Sequence, residues 1–409
     1  MSVPSSAGTP DASEAPFGID ELFFSRTDPG GIIQAGNAVF RRVSGYEWDE
    51  LLAKPHKIIR HPDMPRAVFR LLWDTIREGR PIGAYVQNRA KDGRHYWVFA
   101  VVTPVAGGYL SVRLKPGSEL LGVVKQEYTA LGSAERAGAL DPGVSAAALL
   151  ARLAELGFPD YPAFMAAALG QEIAARDAAL GHAPDAAVRM FAELMQTAQS
   201  LLRQSAIIVR AFASYENVPF NFRVLAAQLG QDGAAISIIS GNYGALSAEM
   251  QRVLERFVAS AQEVYRTIND GSFLVCTARM QREVLAAFAG EDEDDGPPRE
   301  EEAAMLDQQQ QDYQARAAAG LAEIARTAVQ FQWTCLEMTR LAAGLEVTRI
   351  MGKVECARHT LAKDRMDELL AELETFQRTV ATALKEIDSM NRDIQDRADD
   401  LLAGAAEAA

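Results

Sequence analysis

Apolar and polar residues follow two different periods along this chain, and the change between them divides it. Residues 22–25 form a short apolar run, residues 28–31 carry Asp, Pro and two Gly, and residues 32–34 resume the apolar run. Apolar runs separated by such turn residues predict two strands joined as a hairpin. Residues 37–76 then lose the period of two and predict several short helices.

Three more strands are predicted before the pattern changes. They are joined by tight turns at residues 91–93 and 107–108. The predicted strands are residues 84–88, 95–103 and 109–114. The order is therefore two strands, short helices and three strands.

After Pro116 the chain becomes Ala-rich and helical, and four long helices with apolar heptads follow. In the first of these, Phe191 and Leu194 begin two adjacent apolar stripes, which is typical of a multi-helix bundle. The acidic run around residues 291–295 predicts a solvated connector. The predicted segments are a disordered leader (1–18), a sensor domain (19–116), a helical connector (117–186), a helical hairpin (187–289), an acidic linker (290–302) and a second helical hairpin (303–403).

Charge and composition narrow the function classes. The 41 Lys and Arg against 55 Asp and Glu give a net charge of -14, which would repel phosphate backbones and anionic lipids, so we expect no nucleic-acid partner and no membrane insertion. No apolar stretch is long enough to span a bilayer, and residues 1–16 do not have the pattern of a signal peptide. The three cysteines are far apart and indicate a reduced, cytoplasmic compartment, with Cys335 as a core residue of its helix.

The segment Arg60–Pro65, with the sequence Arg-His-Pro-Asp-Met-Pro, is the most specific local motif. In a purely structural interpretation, Asp63 caps a helix that starts at Met64 and His61 packs locally. Alternatively, Arg60, His61 and a helix N-terminus together hold an anionic or ring-nitrogen ligand edge.

This motif and its surroundings resemble the PAS domain of bacterial aerotaxis receptors. About 90 residues share the order and spacing of that family. The matching positions are Ser44-Gly45-Tyr46, Lys54-Pro55-His56, Arg60 to Pro65, Phe69, Trp73, Asn88-Arg89, Lys91-Asp92-Gly93 and Tyr96-Trp97-Val98. The resemblance implies an α+β domain with a five-stranded antiparallel sheet and short helices, followed here by an all-α antiparallel bundle.

PAS domains of this group bind FAD non-covalently and report its redox state. The resemblance implies a flavin pocket lined or supported by Arg60, His61, Asp63, Asn37, Trp73 and Asn88. Two positions depart from the family pattern: Ile82 stands where these receptors usually have Trp, and the bulky Tyr85 follows Ala84. The lost ring removes on the order of 1 kcal/mol of contact. A pocket that binds flavin, one that binds a smaller ligand and an empty pocket all stay open.

Residues 221–247 resemble, more weakly, the hairpin tip of chemoreceptor signalling domains, with a turn near residues 217–228. Leu225 and Gln228 replace the Glu and Arg of that family. Any helical hairpin with small residues at close-packed positions is the alternative. The resemblance implies protein partners of the chemotaxis type or a diverged equivalent.

The sequence carries no nucleotide-binding glycine motif, so we expect a protein that is not an enzyme. All cysteines follow residue 270, which argues against a cysteinyl-flavin adduct. A haem sensor would use His56, His61 or His95. We therefore predict a cytoplasmic, homodimeric sensory transducer that detects redox or oxygen through FAD, with a ligand-free PAS scaffold or a haem sensor as alternatives.

Overall fold

Five strands form one antiparallel sheet near the amino terminus. The structure, a computed structural model, describes residues 14–138, 140–215, 218–228, 234–291, 299–356 and 363–407. The strands are Leu22–Thr27 (β1), Ile33–Gly36 (β2), Ile82–Arg89 (β3), His95–Val105 (β4) and Gly108–Leu114 (β5). Their order across the sheet is β2-β1-β5-β4-β3, with antiparallel neighbours throughout. The predicted α+β domain with a five-stranded sheet is confirmed.

Short helices connect β2 to β3 and lie on one face of the sheet, which we call the inner face. They are Ala38–Ser44 (α1), Trp48–Leu51 (α2), a 3-10 helix at His56–Ile59 and Arg66–Arg77 (α3). The predicted start of α3, a helix from Met64 capped by Asp63, is wrong. Pro65 occupies the N-cap position, and the carboxylate of Glu135 accepts from the backbone N–H groups of Arg66 and Ala67 at 2.6 and 3.0 Å. A carboxylate from another helix satisfies these exposed donors, so Asp63 is not needed as a cap.

Within the described residues, eight further helices follow the sheet. They are Leu120–Arg136 (α4), Pro142–Glu155 (α5), Tyr161–Leu180 (α6), Ala186–Tyr215 (α7), Val218–Gln228 (α8), Ala234–Ala289 (α9), Arg299–Cys356 (α10) and Lys363–Glu407 (α11). The turn predicted near residues 217–228 is instead helical from Val218 to Gln228, and Leu225 is buried there. Residues 229–233 of the predicted tip lie outside the described residues. The chain divides into two compact units, Met1–Arg189 with Asn269–Ala317, and Met190–Ile268 with Ala318–Ala409.

In the first unit, helices α6 and α9 cover the outer face of the sheet. The Tyr161 hydroxyl donates to the backbone carbonyl of Gly83 at 3.1 Å. A Cβ atom on Gly83 would lie 3.0 Å from the ring of Phe273 in α9, so only glycine allows this close approach without a shift. Farther along the sheet, the Phe24 ring packs edge-on against Phe288 at 5.2 Å between centroids. The outer face is therefore an interior surface of this unit.

Two buried carboxylates on α6 stabilise the contact between α6, α9 and the sheet, and each has hydrogen-bond partners. Glu172 is fully buried and accepts from the Tyr85 hydroxyl at 2.6 Å and from the backbone N–H groups of Gly117 and Ser118 at 2.6 and 3.0 Å. Asp177 accepts from Arg279 of α9 at 2.9 Å. Buried carboxylates are tolerated only when hydrogen bonds or cations replace their water, and these are fully supplied.

The two ends of the acidic segment contact the sheet, which corrects the prediction of a connector solvated along its whole length. The Asn37 amide donates to Glu291 at 2.8 Å, and Arg26 forms a bidentate ion pair with Glu302, which is buried. Residues 292–298 between them lie outside the described residues. A cation in β1 and the amide that caps α1 thus bind the flanking acidic side chains.

In the second unit, the predicted heptad stripes pack against one another within one chain. Helices α9 and α10 are antiparallel, with the Phe257 and Phe331 rings 5.3 Å apart. Helices α7 and α11 are antiparallel too, with Phe212 and Phe376 at 5.0 Å. Cys335 is buried in this core, and burial raises the pKa of its thiol to about 12, as expected for a core residue and not a reactive nucleophile.

None of the described helices contains a stretch that is both long and apolar enough to cross a lipid bilayer.

Candidate ligand cavity

A cavity of about 290 Å³ lies between the inner face of the sheet and helix α3. Its walls come from four of the strands, β1, β3, β4 and β5, from the β1–β2 turn, from the 3-10 helix and from α3. Apolar and aromatic side chains line it together with eight polar or charged ones. This combination, near the lower end of the usual size for ligand pockets, suits a small ring system.

Three of the six predicted site residues line this cavity: Arg60, Trp73 and Asn88. Arg60 lies at the end of the 3-10 helix, where its backbone forms an isolated bridge with Asn88 of β3. Its guanidinium lies 3.7 Å from the centre of the Phe69 ring, and burial lowers its pKa. The described residues give Arg60 no carboxylate within ion-pair distance, so its charge can serve a ligand.

Trp73 supplies the aromatic wall. Its ring packs edge-on against Tyr109 of β5 at 5.7 Å, and Arg77 lies over its other side at 5.1 Å. Gly31, with φ of +80°, passes so close that a Cβ atom there would lie 3.1 Å from the Trp73 ring. The β1–β2 turn therefore needs glycine at this point to leave the ring in place.

The other three predicted residues lie outside the cavity lining. His61 accepts from the Asp63 backbone N–H at 3.2 Å, and its ring lies 6.3 Å from that of His95. Asp63 is exposed and forms an ion pair with Arg136 at 3.0 Å. Asn37 caps α1 and ties β1 in place, with its amide oxygen accepting from Phe24 and Phe40. These residues support the fold around the cavity and do not face it.

The two departures from the family pattern also do not obstruct the cavity. Tyr85 points to the outer face, where its ring packs on Phe99 and its hydroxyl reaches Glu172. Ile82 is fully buried but is not part of the lining. Trp97, one of the positions shared with the aerotaxis-receptor family, contacts Tyr128 on the outer side. Side chains along β3 and β4 alternate between the two faces of the sheet, and the odd-numbered positions face outward. The side chains of Tyr85 and Trp97 therefore lie on the outer face.

A cluster of polar side chains that the sequence did not reveal lies at the β1–β5 side of the cavity. The Arg113 Nη2 atom donates to Ser25 Oγ at 2.8 Å and to His56 Nε2 at 2.7 Å. Because Nε2 accepts from a guanidinium, the neutral His56 ring carries its proton on Nδ1. Burial and the neighbouring Arg113 charge lower the pKa of His56 to about 3, so the ring is neutral at pH 7.

Two buried polar atoms in this cluster have no hydrogen-bond partner among the described residues. They are Arg113 Nη1 and Ser111 Oγ, and both residues line the cavity. Arg113 is 3% exposed, and no carboxylate of the described residues pairs with it. Buried polar atoms without partners are rare and costly, so these two are candidates for hydrogen bonds with a ligand.

A signal for this cluster was present in the sequence. In β5, Tyr109, Ser111 and Arg113 alternate with Leu110, Val112 and Leu114. Such alternation usually means a solvated polar face. Here helices that follow the sheet cover the apolar face of β5, and its polar face lines the cavity. The sequence period does not show that α6 and α9 cover the apolar face.

Of the three histidines that a haem sensor could use, His56 is the one that lines the cavity among the described residues. His56 Nε2 is engaged by Arg113, and His61 and His95 lie outside the cavity lining. Across the described ranges, no group of three or more His, Cys, Asp or Glu is placed to hold a metal ion. The polar groups of the cavity are two arginines, a lysine, a histidine, and hydroxyl and amide side chains that can donate or accept hydrogen bonds.

Comparison with known proteins identifies the fold family of this domain. Residues 35–109 match the PAS fold family. The aerotaxis receptor of Escherichia coli (strain K12) is 37% identical over 134 residues, which cover 32% of this chain and 26% of that protein. Biofilm dispersion protein BdlA of Pseudomonas aeruginosa is 30% identical over 104 residues, which cover 25% of each chain. This chain thus spans about a quarter of the length of these relatives.

Among solved structures, the light state of the blue-light photoreceptor Aureochrome1 LOV is similar at 24% identity. That likeness covers 25% of this chain and 88% of the photoreceptor structure, with a TM-score of 0.23. The matched family, the strand order and the motif from Arg60 to Pro65 agree on one assignment. Residues 35–109 of this chain form a PAS domain related to that of the aerotaxis receptor.

Proposed function

We propose that this chain is a taxis-type sensory transducer whose PAS domain binds FAD in the inner-face cavity and signals its redox state through the helices. The observation that carries the proposal is the cavity itself, where the unpaired cations Arg60 and Arg113 and the unpartnered Ser111 hydroxyl meet the Trp73 ring. The similarity to an aerotaxis receptor supports the flavin and the kind of signal.

The lining residues fit a flavin. Trp73 and Tyr109 offer aromatic surface, and the Ser111 hydroxyl and the Asn88 amide offer hydrogen bonds to a ring edge. Arg60 offers a cation for a phosphate. When bound, FAD supplies a ring whose charge and hydrogen-bonding pattern change on reduction. A cavity of about 290 Å³ suits the ring portion, so the rest of a dinucleotide would extend from the opening.

Titration of FAD into the full chain, followed by flavin fluorescence, tests this proposal. We expect saturable binding of one FAD per chain. Arg60→Ala should weaken binding by about tenfold or more, because it removes a charged hydrogen-bond donor. The matched control is Arg94→Ala, since Arg94 lies in the β3–β4 turn and pairs with Asp92.

An absence of saturable FAD binding, with the chain folded by circular dichroism, would overturn the flavin proposal in favour of a ligand-free PAS scaffold. A Soret band in the purified protein would favour a haem sensor instead. Equal weakening by Arg60→Ala and Arg94→Ala would mean that FAD binds somewhere other than the cavity.

We infer that β1 carries the signal from the cavity to the helices. Ser25 faces the cavity and bonds to Arg113, while the next residue, Arg26, pairs with Glu302 in the first turn of α10. Asn37, at the end of β2, binds Glu291 just beyond α9. A shift of β1 would therefore move the neighbouring ends of α9 and α10, and both helices continue into the second unit.

The proposal includes a homodimer that pairs through α10. Large exposed apolar residues recur there at heptad spacing, interrupted by Arg340 and Ala343. They are Val329, Trp333, Leu336, Val347, Ile350 and Val354. A period of 3.5 residues is typical of a stripe that packs on another helix. In the rest of the described chain, large exposed apolar residues occur singly or in pairs. The same stripe on a second copy of the chain is therefore the surface that covers this stripe along its whole length.

Sedimentation of the full chain at micromolar concentration tests this pairing. We expect a dimer that the double change Trp333→Glu and Val347→Glu converts to a folded monomer. The control is Val209→Glu, a lone exposed apolar residue on α7. A wild-type monomer, or equal effects of the two sets of changes, would contradict pairing through α10.

We further propose that the protein is cytoplasmic, is not an enzyme and acts on chemotaxis-type signalling proteins or a diverged equivalent. The similarity to an aerotaxis receptor and to a biofilm dispersion protein supports partners of this class. Leu225 is buried in α8, so it offers no charged group to a partner where the chemoreceptor family has Glu. We expect weak or absent binding to a standard chemotaxis kinase array, measurable by pull-down.

A further inference from the structure

In the first unit, Arg113 differs from the buried Arg176 and the half-buried Arg279 in its partners. Arg176 and Arg279 are 10% and 12% exposed at their side chains, and both pair with carboxylates, Glu283 and Asp177. Arg113 is more deeply buried, and its polar contacts are the neutral groups Ser25 Oγ and His56 Nε2. A buried cation without an anion is expensive, and proteins rarely retain one without a use for it.

The surroundings of Arg113 keep its guanidinium charged and fix its position. Burial lowers its pKa only to about 10, so the guanidinium is protonated at pH 7. The rings of Phe23 and Phe40 lie 5.5 Å from it. His56 cannot compete for protonation, because its own pKa is lowered to about 3. The cluster is therefore a fixed positive charge on a residue that lines the cavity, and its Nη1 amino group has no hydrogen-bond partner among the described residues.

We propose that Arg113, positioned by Ser25 and His56, is an anion-recognition group, and that the cavity ligand presents to it an edge that carries or gains negative charge. This inference rests on the proposed function in one respect: the ligand class that fits is a planar heterocycle with an imide-type edge, which in a flavin becomes electron-rich on reduction. Arg113 then favours the reduced ligand over the oxidised one, because its charge meets no competing carboxylate.

The first test compares the dissociation constants of oxidised FAD and of FAD reduced anaerobically with dithionite, for the full chain. We expect the wild-type protein to bind the reduced form about tenfold more tightly, and Arg113→Met to lose that preference while it binds oxidised FAD nearly as well. For a two-electron couple a tenfold ratio corresponds to about 30 mV in midpoint potential. Arg113→Lys should keep part of the preference, since it retains the charge without the fork geometry.

An equal preference in the wild-type protein and Arg113→Met would overturn the inference but leave the proposed function standing. Failure of the wild-type protein to bind either form would count against the proposed function itself. The two failures are therefore distinguishable.

The second test needs no flavin. In the ligand-free protein we expect Arg113→Met to raise the melting temperature by about 2–4 °C, because an apolar side chain of similar length replaces an unpaired buried cation. A structural role, with Arg113 held between Phe23 and Phe40, predicts a fall instead. A fall in melting temperature for Arg113→Met, with Arg113→Lys less affected, would overturn the inference whatever the flavin result.

Discussion

The two faces of the PAS sheet bury charge in opposite ways. On the outer face, Glu172 accepts from Tyr85, Gly117 and Ser118, and Asp177 pairs with Arg279. On the inner face, Arg113 has only neutral partners. The first unit thus contains buried carboxylates that have hydrogen-bond or cation partners on the outer face, and a buried cation without an anion on the inner face.

This difference separates buried polar groups that stabilise the fold from buried polar groups that a ligand could bind. A satisfied network stabilises one arrangement of helices on the sheet and leaves no donor for a ligand. An unsatisfied cation costs stability, and a ligand that supplies the missing anion recovers it. The outer face therefore holds α6 and α9, and we propose the inner face as the binding face.

The largest effect is expected on the outer face. Arg279→Met leaves the Asp177 carboxylate, 4% exposed, without its main cation, and we expect a loss of about 3–5 kcal/mol in unfolding free energy. Urea unfolding followed by circular dichroism measures it, with the exposed Arg282→Met as control. A loss no larger than that of the control would mean that the outer-face charges are not a structural network.

A second change removes the acceptor at the centre of the same face. Glu172→Ala leaves the Tyr85 hydroxyl and two backbone N–H groups unsatisfied, so we expect a loss of about 2–4 kcal/mol, and Glu172→Gln should lose less because it keeps one carbonyl oxygen. The exposed Glu155→Ala is the control and should change little. Equal losses for Glu172→Ala and Glu172→Gln would show that the acceptor oxygen contributes little.

The smallest effect concerns pH and the inner face. The folded pKa of His56 is lowered to about 3 from an ordinary value near 6.5, so between these values the unfolded chain binds a proton that the folded chain does not. Unfolding free energy should therefore fall as pH falls below 6.5, by at most about 1.4 kcal/mol per pH unit from this residue. Urea unfolding at pH 7, 6 and 5 measures the slope, and His56→Gln should flatten it. An unchanged slope in His56→Gln would assign the effect to other groups.

The fold was predictable from the sequence where local pattern and turn chemistry agree. Short apolar runs and tight turns predicted the five strands, because both signals act over a few neighbouring residues. The same holds for Asp141, which caps α5, and for the left-handed Gly181, which ends α6. The start of α3 was not predictable, since its cap, Glu135, is 69 residues from Arg66 along the chain.

The site was only half predictable for the same reason. Arg60, Trp73 and Asn88 were identified through the family resemblance and do line the cavity, whereas His61, Asp63 and Asn37 sit close to it in sequence and serve local structure. The Arg113 cluster was missed because it joins β1, β5 and the 3-10 helix. No sequence period reports a contact between residues 25, 56 and 113.

Amide hydrogen exchange of the full chain, with and without FAD, tests most directly whether the inner face is the binding face. We predict that FAD slows exchange in the 3-10 segment His56–Ile59, in the first turns of α3 and in the β1–β2 turn, which line the cavity. Exchange at Gly117 and Ser118, bonded to Glu172 on the outer face, should stay unchanged. Slowing confined to the outer face or to the second unit, or no change at FAD concentrations that saturate binding, would contradict the account.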